Sequence, residues 1–425
     1  MGRIVFTNAN VLDGENPAKP DSTVAVEDGR IVQVANGNGT VVETGPEDRV
    51  IDCSGLTLIP GMTQGHFHST YNNVTVPIMP PLGLESPPAY HAYVAAHNVG
   101  LALKCGYTSV VGANEAWDID PSLWQAIQDG LVVGPRVIAG CREIITTADS
   151  NDVTPWYWES HGFAGTRTAD GPDEFRKAVR DEIRRGAEVI KLFVTGGHGV
   201  RLSRYTSSIT NEELFAACEA THNLGKRVRA HVCSKEGVLR CLDAGVDIID
   251  HGDGIDDECI ERMAEQQVCY EPSVFSHQIV AELMGDTNYE GEFGQVMKAT
   301  CAALPKCVEA GVIINVADDY GSSIQPHGSY GKEPGFYHDF TGIDMLEILK
   351  WATVNGGKLV GLDDLGRIEE GYIADIVVLN GDPSEDIHLL GDTDNILAVM
   401  RDGTIWIDNL DKAARPAREE ALASA

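Results

Sequence analysis

The chain has 425 residues, of which 43% are hydrophobic and 7% aromatic, values that are ordinary for globular proteins. Its formal net charge of −32 at pH 7 repels nucleic acid and anionic membrane surfaces. No stretch approaches the roughly 18 apolar residues that cross a bilayer, and the N-terminus lacks the apolar region of a signal peptide. We therefore expect a cytoplasmic protein that binds neither nucleic acid nor membranes.

The ten cysteines are scattered singly along the chain, without any Cys-x-x-Cys pair. This spacing is typical of reduced, mostly buried thiols in a cytosolic protein.

Both ends of the chain carry short β-patterned segments divided by glycine-containing turns. They are Arg3–Thr7, Thr23–Glu27, Arg30–Val34, and, near the other end, Ala374–Leu379, Ile396–Arg401 and Thr404–Ile407. Two β-rich ends that enclose a different middle indicate one small β-sandwich assembled from both termini. We place its two parts at residues 1–58 and 363–410, with a C-terminal tail at 411–425.

The middle of the chain alternates eight short β-rich runs with longer helix-patterned segments. The runs are Leu56–Gly61, Thr108–Gly112, Arg136–Ala139, Glu188–Val194, Arg227–Val232, Asp247–His251, Val268–Ser273 and Val312–Ala317. Eight repeated βα units predict a parallel sheet closed into a barrel, with its active site at the C-terminal ends of the strands. The predicted fold is thus α/β, a (β/α)8 TIM barrel over residues 59–362 with a β-sandwich domain built from both termini.

Polar side chains that suit a metal ion follow several of these strands. His66 and His68 are two residues apart, so on a strand both imidazoles point to the same face and could hold one ion. Single histidines, His231 and His251, lie at the ends of runs five and six. A lone strand histidine is more often a buried structural residue, but two on consecutive strands strengthen the metal interpretation.

Lys191 lies within the apolar run Val189–Val194, where a lysine needs a partner. A desolvated lysine amine can add CO2 and become a carbamate, an anionic oxygen ligand that could bridge two metal ions. The alternative is an ion pair inside the barrel, for example with Asp318.

Run eight is followed directly by two consecutive carboxylates, Asp318 and Asp319. Alternation from Val316 favours Asp318 as the residue that points into the barrel, with Asp319 as the fallback. A carboxylate at this position could serve as metal ligand and as proton shuttle.

Together these residues resemble the amidohydrolase superfamily, in its binuclear branch with a carbamylated lysine. The similarity spans nearly the whole chain and is closest to prolidase-like and imidazolonepropionase-like amidohydrolases. Its motifs here are Ile59–His68, Gly186–Lys191 with Thr195–Gly197, His231, His251, Asp318, Trp351–Lys358 and Gly366–Leu379.

The resemblance implies two divalent metal ions, with zinc expected because imidazole and carboxylate ligands suit it. One ion would be held by His66, His68 and Asp318, the other by His231 and His251, and Lys191, N6-carboxylated by CO2, would bridge them. In this scheme a metal-bridging hydroxide attacks a carbonyl, and Asp318 carries the proton to the leaving nitrogen. Asp318, Lys191 and His251 are the predicted catalytic residues.

The predicted substrate is a small molecule with an amide-like C–N bond, such as an N-acyl amino acid, a dipeptide or an aryl amide. In dipeptidase-like relatives the loop after strand three resembles Thr-Gly-Gly-His-Gly-Asp, whereas here Ser150 replaces the histidine, which argues against ordinary dipeptidase activity. The predicted substrate-binding residues are Ser150, His198, Arg201, Arg204 and Tyr205. For the arginines, a salt bridge at the rim is an equal alternative.

Other functions stay open at this point. The same centre could hydrolyse a cyclic amide, a lactam, a urea, a carbamate or a lactone. Deaminases with one metal lack the bridging lysine, and non-catalytic scaffolds usually lose ligands, so Lys191 and the full set of ligands speak against both. We also expect a homo-oligomer.

Overall fold

The computed structural model of the protein describes residues 2–37, 42–74, 86–153, 157, 164–197 and 200–412. Within these ranges the strands, in chain order, are β1 (Ile4–Val11), β2 (Lys19–Glu27), β3 (Arg30–Ala35), β4 (Arg49–Asp52), β5 (Thr57–Pro60), β6 (Met62–Phe67), β7 (Tyr107–Gly112), β8 (Arg136–Ile138), β9 (Glu143–Ile145), β10 (Thr166–Thr168), β11 (Val189–Phe193), β12 (Arg227–Val232), β13 (Ile248–His251), β14 (Cys269–Glu271), β15 (Ile313–Ile314), β16 (Ile376–Leu379), β17 (Ile396–Arg401) and β18 (Thr404–Asp408).

The α-helices lie mainly between the strands of the barrel. They are α1 (Pro88–Lys104), α2 (Ile119–Gln128), α3 (Pro172–Arg185), α4 (Asn211–His222), α5 (Lys235–Ala244), α6 (Asp257–Glu265), α7 (Phe275–Leu283), α8 (Glu292–Ala310), α9 (Lys332–Thr341), α10 (Met345–Ala352) and α11 (Val354–Val360). Helix α4 begins at a capping box formed by Thr210 and Glu213, each of which accepts a hydrogen bond from the backbone N–H of the other.

Eight parallel strands form the barrel, in the order β6, β7, β8, β11, β12, β13, β14 and β15. Between β8 and β11 the ring is joined by the backbone N–H groups of Glu188 and Val189, which both donate to Ala139 O at 2.8 and 3.1 Å. Between β15 and β6 it is joined by Gly65 N–H, which donates to Val316 O at 3.2 Å. The predicted (β/α)8 barrel is confirmed.

Strands from both termini form a separate sheet of eight strands, in which β1 pairs with β4 over its first half and with β5 over its second. This terminal sheet encloses an apolar core of its own, which includes Phe6, Val24, Leu58, Ile376 and Met400. The prediction that the two ends of the chain meet in one β-domain is confirmed.

The first barrel strand differs from the prediction. Run Leu56–Gly61 belongs mainly to the terminal sheet, because β5 pairs antiparallel with β16, and the barrel begins only at Met62. The chain crosses between the two sheets at Gly61, where a Cβ would come within 2.2 Å of Thr108 Oγ1. Both sheets bury this segment on both faces, so its apolar run continues across the crossing. The domain boundary predicted after residue 58 falls inside β5.

All ten cysteines are buried and form no disulfide, as expected for reduced thiols. Among the described helices, none is long and apolar enough to cross a membrane.

Candidate metal centre

His66 and His68 lie at the C-terminal end of β6 and meet a carboxylate there. Asp319 Oδ1 is 2.8 Å from His66 Nε2 and 3.0 Å from His68 Nε2. His68 Nδ1 donates to the backbone carbonyl of Asn114 at 3.1 Å. A carbonyl only accepts, so this contact calls for a proton on Nδ1, and Nε2 is the ring nitrogen that would be available to a metal ion.

His231 and His251 lie beside this group, at the ends of β12 and β13. Their ring centroids are 4.4 Å apart, and that of His251 is 5.5 Å from His66. Phe193 stacks on His231 with centroids 3.8 Å apart and fixes the plane of that ring. The structure thus brings the four predicted histidines together at one end of the barrel.

The backbone conformation at His251 is unusual, and it places the consecutive side chains of Asp250 and His251 inside the barrel. Asp250 points inward along β13, so on a regular strand His251 would point outward. His251 instead has φ of +69°, a left-handed conformation that a residue with a side chain rarely adopts. This local turn directs both Asp250 and His251 into the barrel, and strain of this kind is concentrated at functional sites.

The structure contradicts the orientation predicted for Asp318. Ile313 packs inside the barrel, whereas Ile314 and Val316 belong to the core that the strands share with the helices. Because side chains alternate, Asp319 continues the inward set that starts at Ile313, and Asp318 does not. The carboxylate that faces the histidines is therefore Asp319, the residue that the sequence offered as a fallback.

Asp318 is held away from the histidines by its own hydrogen bonds. Its carboxylate accepts from the backbone N–H of Ser276 at 2.9 Å and of Asp319 at 2.7 Å. Buried Glu333, on α9, accepts from the N–H groups of Ala317 and Asp318 at 3.0 and 3.3 Å. These bonds end the strand early and fix the turn that presents Asp319.

Lys191 is buried on β11 and lines the same cleft, but its partner differs from the one considered above. Its ammonium donates to Asp250 rather than to Asp318. Asp250 also pairs with Arg229, which in turn pairs with Glu271. We call these four buried residues, Lys191, Arg229, Asp250 and Glu271, the barrel floor.

Burial favours the neutral form of three of the site histidines. It lowers the pKa of His66 to about 3, lowers that of His231 well below its ordinary value, and also lowers that of His251. Neutral imidazoles carry the lone pairs that a metal ion requires. Burial raises the pKa of Asp318 to about 6, in keeping with its separation from the histidines.

The donor atoms of the site fit a divalent metal ion. His251 Nε2 and His66 Nδ1 are buried, and neither has a hydrogen-bond partner within the described residues. His66, His68 and Asp319 also offer three ligand atoms within 4.8 Å of one another. Imidazole nitrogens with a carboxylate oxygen are a typical zinc donor set.

These side chains line one end of a cleft that opens to solvent. The remaining wall is mixed, with an apolar part made by Val74, Val200, Val280, Phe293 and Ile324. Polar groups on it include Glu143, Asn151, Cys233, Ser273, Ser276, His277, Ser322 and Gln325. A cleft at the C-terminal ends of barrel strands is where (β/α)8 enzymes bind their substrates.

A model of the amidohydrolase family matches residues 57–406. The chain belongs to the amidohydrolase family. It is 29% identical over 377 residues to the ochratoxinase of Aspergillus niger, which covers 82% of this chain and 75% of that protein. With enzymes as its relatives, this amidohydrolase is a hydrolase that acts on C–N bonds.

Solved structures agree with this assignment. A Xaa-Pro dipeptidase with bound methionine in its active site matches with a TM-score of 0.82 and 27% identity, covering 95% of this chain and 100% of that one. A prolidase complexed with N-methylphosphonate-L-proline matches with a TM-score of 0.83 and 26% identity, covering 96% and 100%. The similarity to prolidase-like amidohydrolases is thereby confirmed.

The predicted substrate-binding residues of this amidohydrolase do not gather at one point as its four histidines do. Ser150 is buried and accepts from Leu202 N–H at 3.1 Å, so it supports the loop after β11. Arg204 donates to Tyr205 Oη at 2.8 Å, and Tyr205 is 71% exposed. The other two predicted residues differ: Arg201 is exposed and near Asp152 O, and His198 lies outside the described residues.

Sequence reasoning missed three members of the barrel floor of the amidohydrolase, Arg229, Asp250 and Glu271. Arg229 is two residues before His231 in the same strand, so it shares the inward face, and this spacing was a usable signal. Asp250 gave no such signal, because the left-handed turn at His251 removes the alternation. Asn114 acts through its backbone carbonyl, which no side-chain pattern reveals.

The lowered pKa of His66 predicts acid sensitivity of the metal-free protein. The folded form holds His66 neutral down to about pH 3, while the unfolded chain takes up a proton near pH 6.5. Stability from this group is present above about pH 6.5 and is lost as the pH falls toward 3, by about 1.4 kcal/mol per pH unit. The difference in free energy of unfolding between wild type and His66→Gln should therefore fall by about that amount between pH 7.5 and 5.5.

Urea denaturation of the chelator-treated protein at both pH values measures this difference. His222→Gln, which changes a half-exposed histidine paired with Asp247, serves as the control and should show no comparable loss. An equal effect in both variants would contradict a buried neutral His66.

Proposed function

We propose that this chain hydrolyses the amide bond of an N-acyl amino acid, a dipeptide or an aryl amide, and that it does so with two divalent metal ions. The observation that carries the proposal is the meeting of four histidines, Lys191 and Asp319 at one end of a single cleft. The similarity to proteins named as an ochratoxinase and a prolidase supports an amide bond as the bond that is cleaved.

The ligands divide into two groups. His66, His68 and Asp319 would hold one ion, His231 and His251 the other, and a carbamate on Lys191 would bridge them. Zinc is the proposed ion, since imidazole and carboxylate donors suit it. Bound ions of this kind polarise a substrate carbonyl and activate water at neutral pH.

Lys191 has the surroundings that carbamate formation needs. Its side chain is 3% exposed and lines the cleft, so its amine can meet dissolved CO2 away from bulk water. The reaction joins the lysine nitrogen to the CO2 carbon and releases two of the three ammonium protons to solvent, while the third stays on the carbamate nitrogen. Asp250, which now accepts from Lys191, would remain paired with Arg229 afterwards.

Asp319 is the proposed proton carrier in place of Asp318. Its side chain is 44% exposed to the cleft, while one of its oxygens faces His66 and His68. A carboxylate so placed can take a proton from the attacking water and deliver it to the leaving nitrogen. Asp318 has both oxygens occupied by backbone N–H groups and is fully buried.

The wall of the cleft favours a substrate with an apolar or aryl part. Phe293, Val280 and Ile324 supply an apolar surface beside the histidines. Among the described residues that line the cleft, Lys191 is the only lysine or arginine. A free substrate carboxylate would therefore have to reach the loop that carries Arg201 and Arg204, which are the proposed groups for binding it.

A substrate panel tests the proposal directly. The zinc-loaded protein should hydrolyse N-acyl amino acids with aryl or large apolar groups and aryl amides at least about tenfold faster, by kcat/KM, than small polar amides. Chelation should remove the activity and zinc should restore it. Turnover of small polar substrates alone would contradict the substrate class, and release of ammonia from amino-heterocycles alone would indicate a deaminase.

Replacing each of the two neighbouring aspartates by asparagine, one at a time, tests which of them carries the proton. Asp319→Asn should lower kcat by about 10³-fold, because general acid–base catalysis is lost. Asp318→Asn should stay within about tenfold of wild type in kcat but lose about 1–3 kcal/mol of stability, because an amide NH2 would face a backbone N–H. Steady-state kinetics and urea denaturation of both variants measure these effects, and the opposite order of activities would return the role to Asp318.

Removal of Lys191 tests the bridge. Lys191→Ala should bind about one divalent ion per chain instead of two and lose activity, as measured by elemental analysis after gel filtration. Intact mass spectrometry under non-denaturing conditions should show wild type heavier than the variant by one CO2 beyond the substitution itself. Lys226→Ala, which breaks a surface pair with Glu188, is the matched control. Two retained ions in Lys191→Ala would mean that the lysine is only an ion-pair partner.

A further inference from the structure

The guanidinium group of Arg229 lies fully buried in the barrel floor and uses all of its N–H donors. Nε donates to Asp250 Oδ2 at 3.2 Å, and Nη2 donates to Asp250 Oδ1 at 2.7 Å and Glu271 Oε2 at 2.6 Å. Nη1 donates to the backbone carbonyls of Gly65 and Gly112, both at 3.0 Å. One planar group is thus bound to four strands besides its own.

Two of these acceptors lead to the first pair of histidines. Gly65 directly precedes His66, so the bond to its carbonyl fixes the backbone of β6 where that imidazole begins. Gly112 ends β7, two residues before Asn114, whose carbonyl accepts from His68. The guanidinium therefore controls the backbone beneath both His66 and His68.

The other contacts lead to the second pair. Asp250 directly precedes His251 and is held by two N–H groups of the arginine. His231 lies two residues after Arg229 on the same face of β12. Asp250 also accepts from Lys191, so the same carboxylate links the arginine to the proposed bridging residue.

We propose that Arg229 is a positioning residue that fixes the separation between the His66/His68 pair and the His231/His251 pair. The proposal rests on the proposed function, because it concerns the two metal ions assigned above. The arginine is rigid and bonds to both halves of the site at once, so it sets the distance between the halves. It contacts neither the substrate cleft nor a ligand nitrogen.

Arginine is suited to this role, and lysine is not. The guanidinium presents five N–H donors in one plane, and here they reach five acceptor contacts that spread around it. An ammonium group keeps the charge but has three donors on one atom. Arg229→Lys would therefore leave at least two contacts unmade, while the carboxylate of Asp250 keeps a cationic neighbour.

The test compares Arg229→Lys with wild type in Mn(II) binding. Metal-free protein is titrated with Mn(II), and bound ions are counted and examined by electron paramagnetic resonance. We expect wild type to bind two ions whose spins are coupled at one fixed separation. The variant should bind the second ion about 10- to 100-fold more weakly, as is typical when a group that orients metal ligands is lost, and its coupling should be weakened or heterogeneous.

Kinetics separate positioning from substrate binding. With zinc and the best amide of the substrate panel, Arg229→Lys should lower kcat about 10- to 100-fold and change KM less than about threefold. The control is Arg227→Lys, the same exchange two residues earlier on β12, where the arginine donates to the carbonyls of Lys358 and Leu359. This control should keep wild-type metal affinity and coupling.

A second variant covers the case in which Arg229→Lys does not reach native circular dichroism. Glu271→Gln keeps the arginine and the shape of its partner but removes one charged acceptor, and it should weaken the second Mn(II) by a smaller factor in the same direction. Unchanged coupling and affinity in every variant that folds would overturn the positioning role while the proposed function stands. Wild type that binds no Mn(II) or zinc would overturn both.

Discussion

A guanidinium and a carboxylate, Arg229 and Asp250, face each other in the middle of the barrel without any exposure to water. Removing two such charges from water costs several kcal/mol each, and only dense hydrogen bonding offsets that cost. The arginine meets it with two carboxylates and two backbone carbonyls. Because Gly65 and Asp250 directly precede His66 and His251 in the chain, satisfying this one charge also fixes the backbone from which these two histidines project.

The layer of histidines above this ion pair differs from it, because some of its polar atoms have no hydrogen-bond partner among the described residues. Burial favours the neutral form of the His66, His231 and His251 imidazoles, and two of their nitrogens are buried without a hydrogen bond in the described part of the chain. Each such group costs about 1–3 kcal/mol in the folded protein. A ligand that satisfies them would recover this free energy and stabilise the fold by mass action. The barrel floor thus holds the strands rigidly enough that two histidine nitrogens above it stay buried without hydrogen bonds to the described residues.

Arg201 and Tyr205, two residues proposed to bind a substrate, are exposed, whereas His66, His68 and Lys191, proposed to hold metal, are buried. Glu333 reaches from α9 to fix the turn that presents Asp319, so even the last strand of the site is set by a helix. In contrast, Arg204 donates to the hydroxyl of Tyr205, a side chain that is mostly exposed. Loops on a rigid barrel can change substrate while the centre stays the same.

The sequence by itself determined the barrel, the β-domain formed by the two ends, and the four histidines. Each of these follows from a local repeat: apolar runs at βα spacing, or His66 and His68 two residues apart on one strand. It also placed Lys191 among apolar neighbours, and this pattern predicted that the lysine has a buried partner or a role in the site.

Three features were decided only by the tertiary structure. Asp319 rather than Asp318 faces the histidines, because the inward parity of β15 depends on which of Ile313 and Ile314 packs in the barrel. The sequence pattern did not show that the chain crosses from the terminal sheet to the barrel at Gly61, because the two sheets bury one continuous apolar run. The barrel floor depends on a left-handed turn at His251 and on distant carbonyls that meet a single guanidinium. Local periodicity reports which face a residue takes within its own strand, and it contains no information about contacts that form only when the barrel closes.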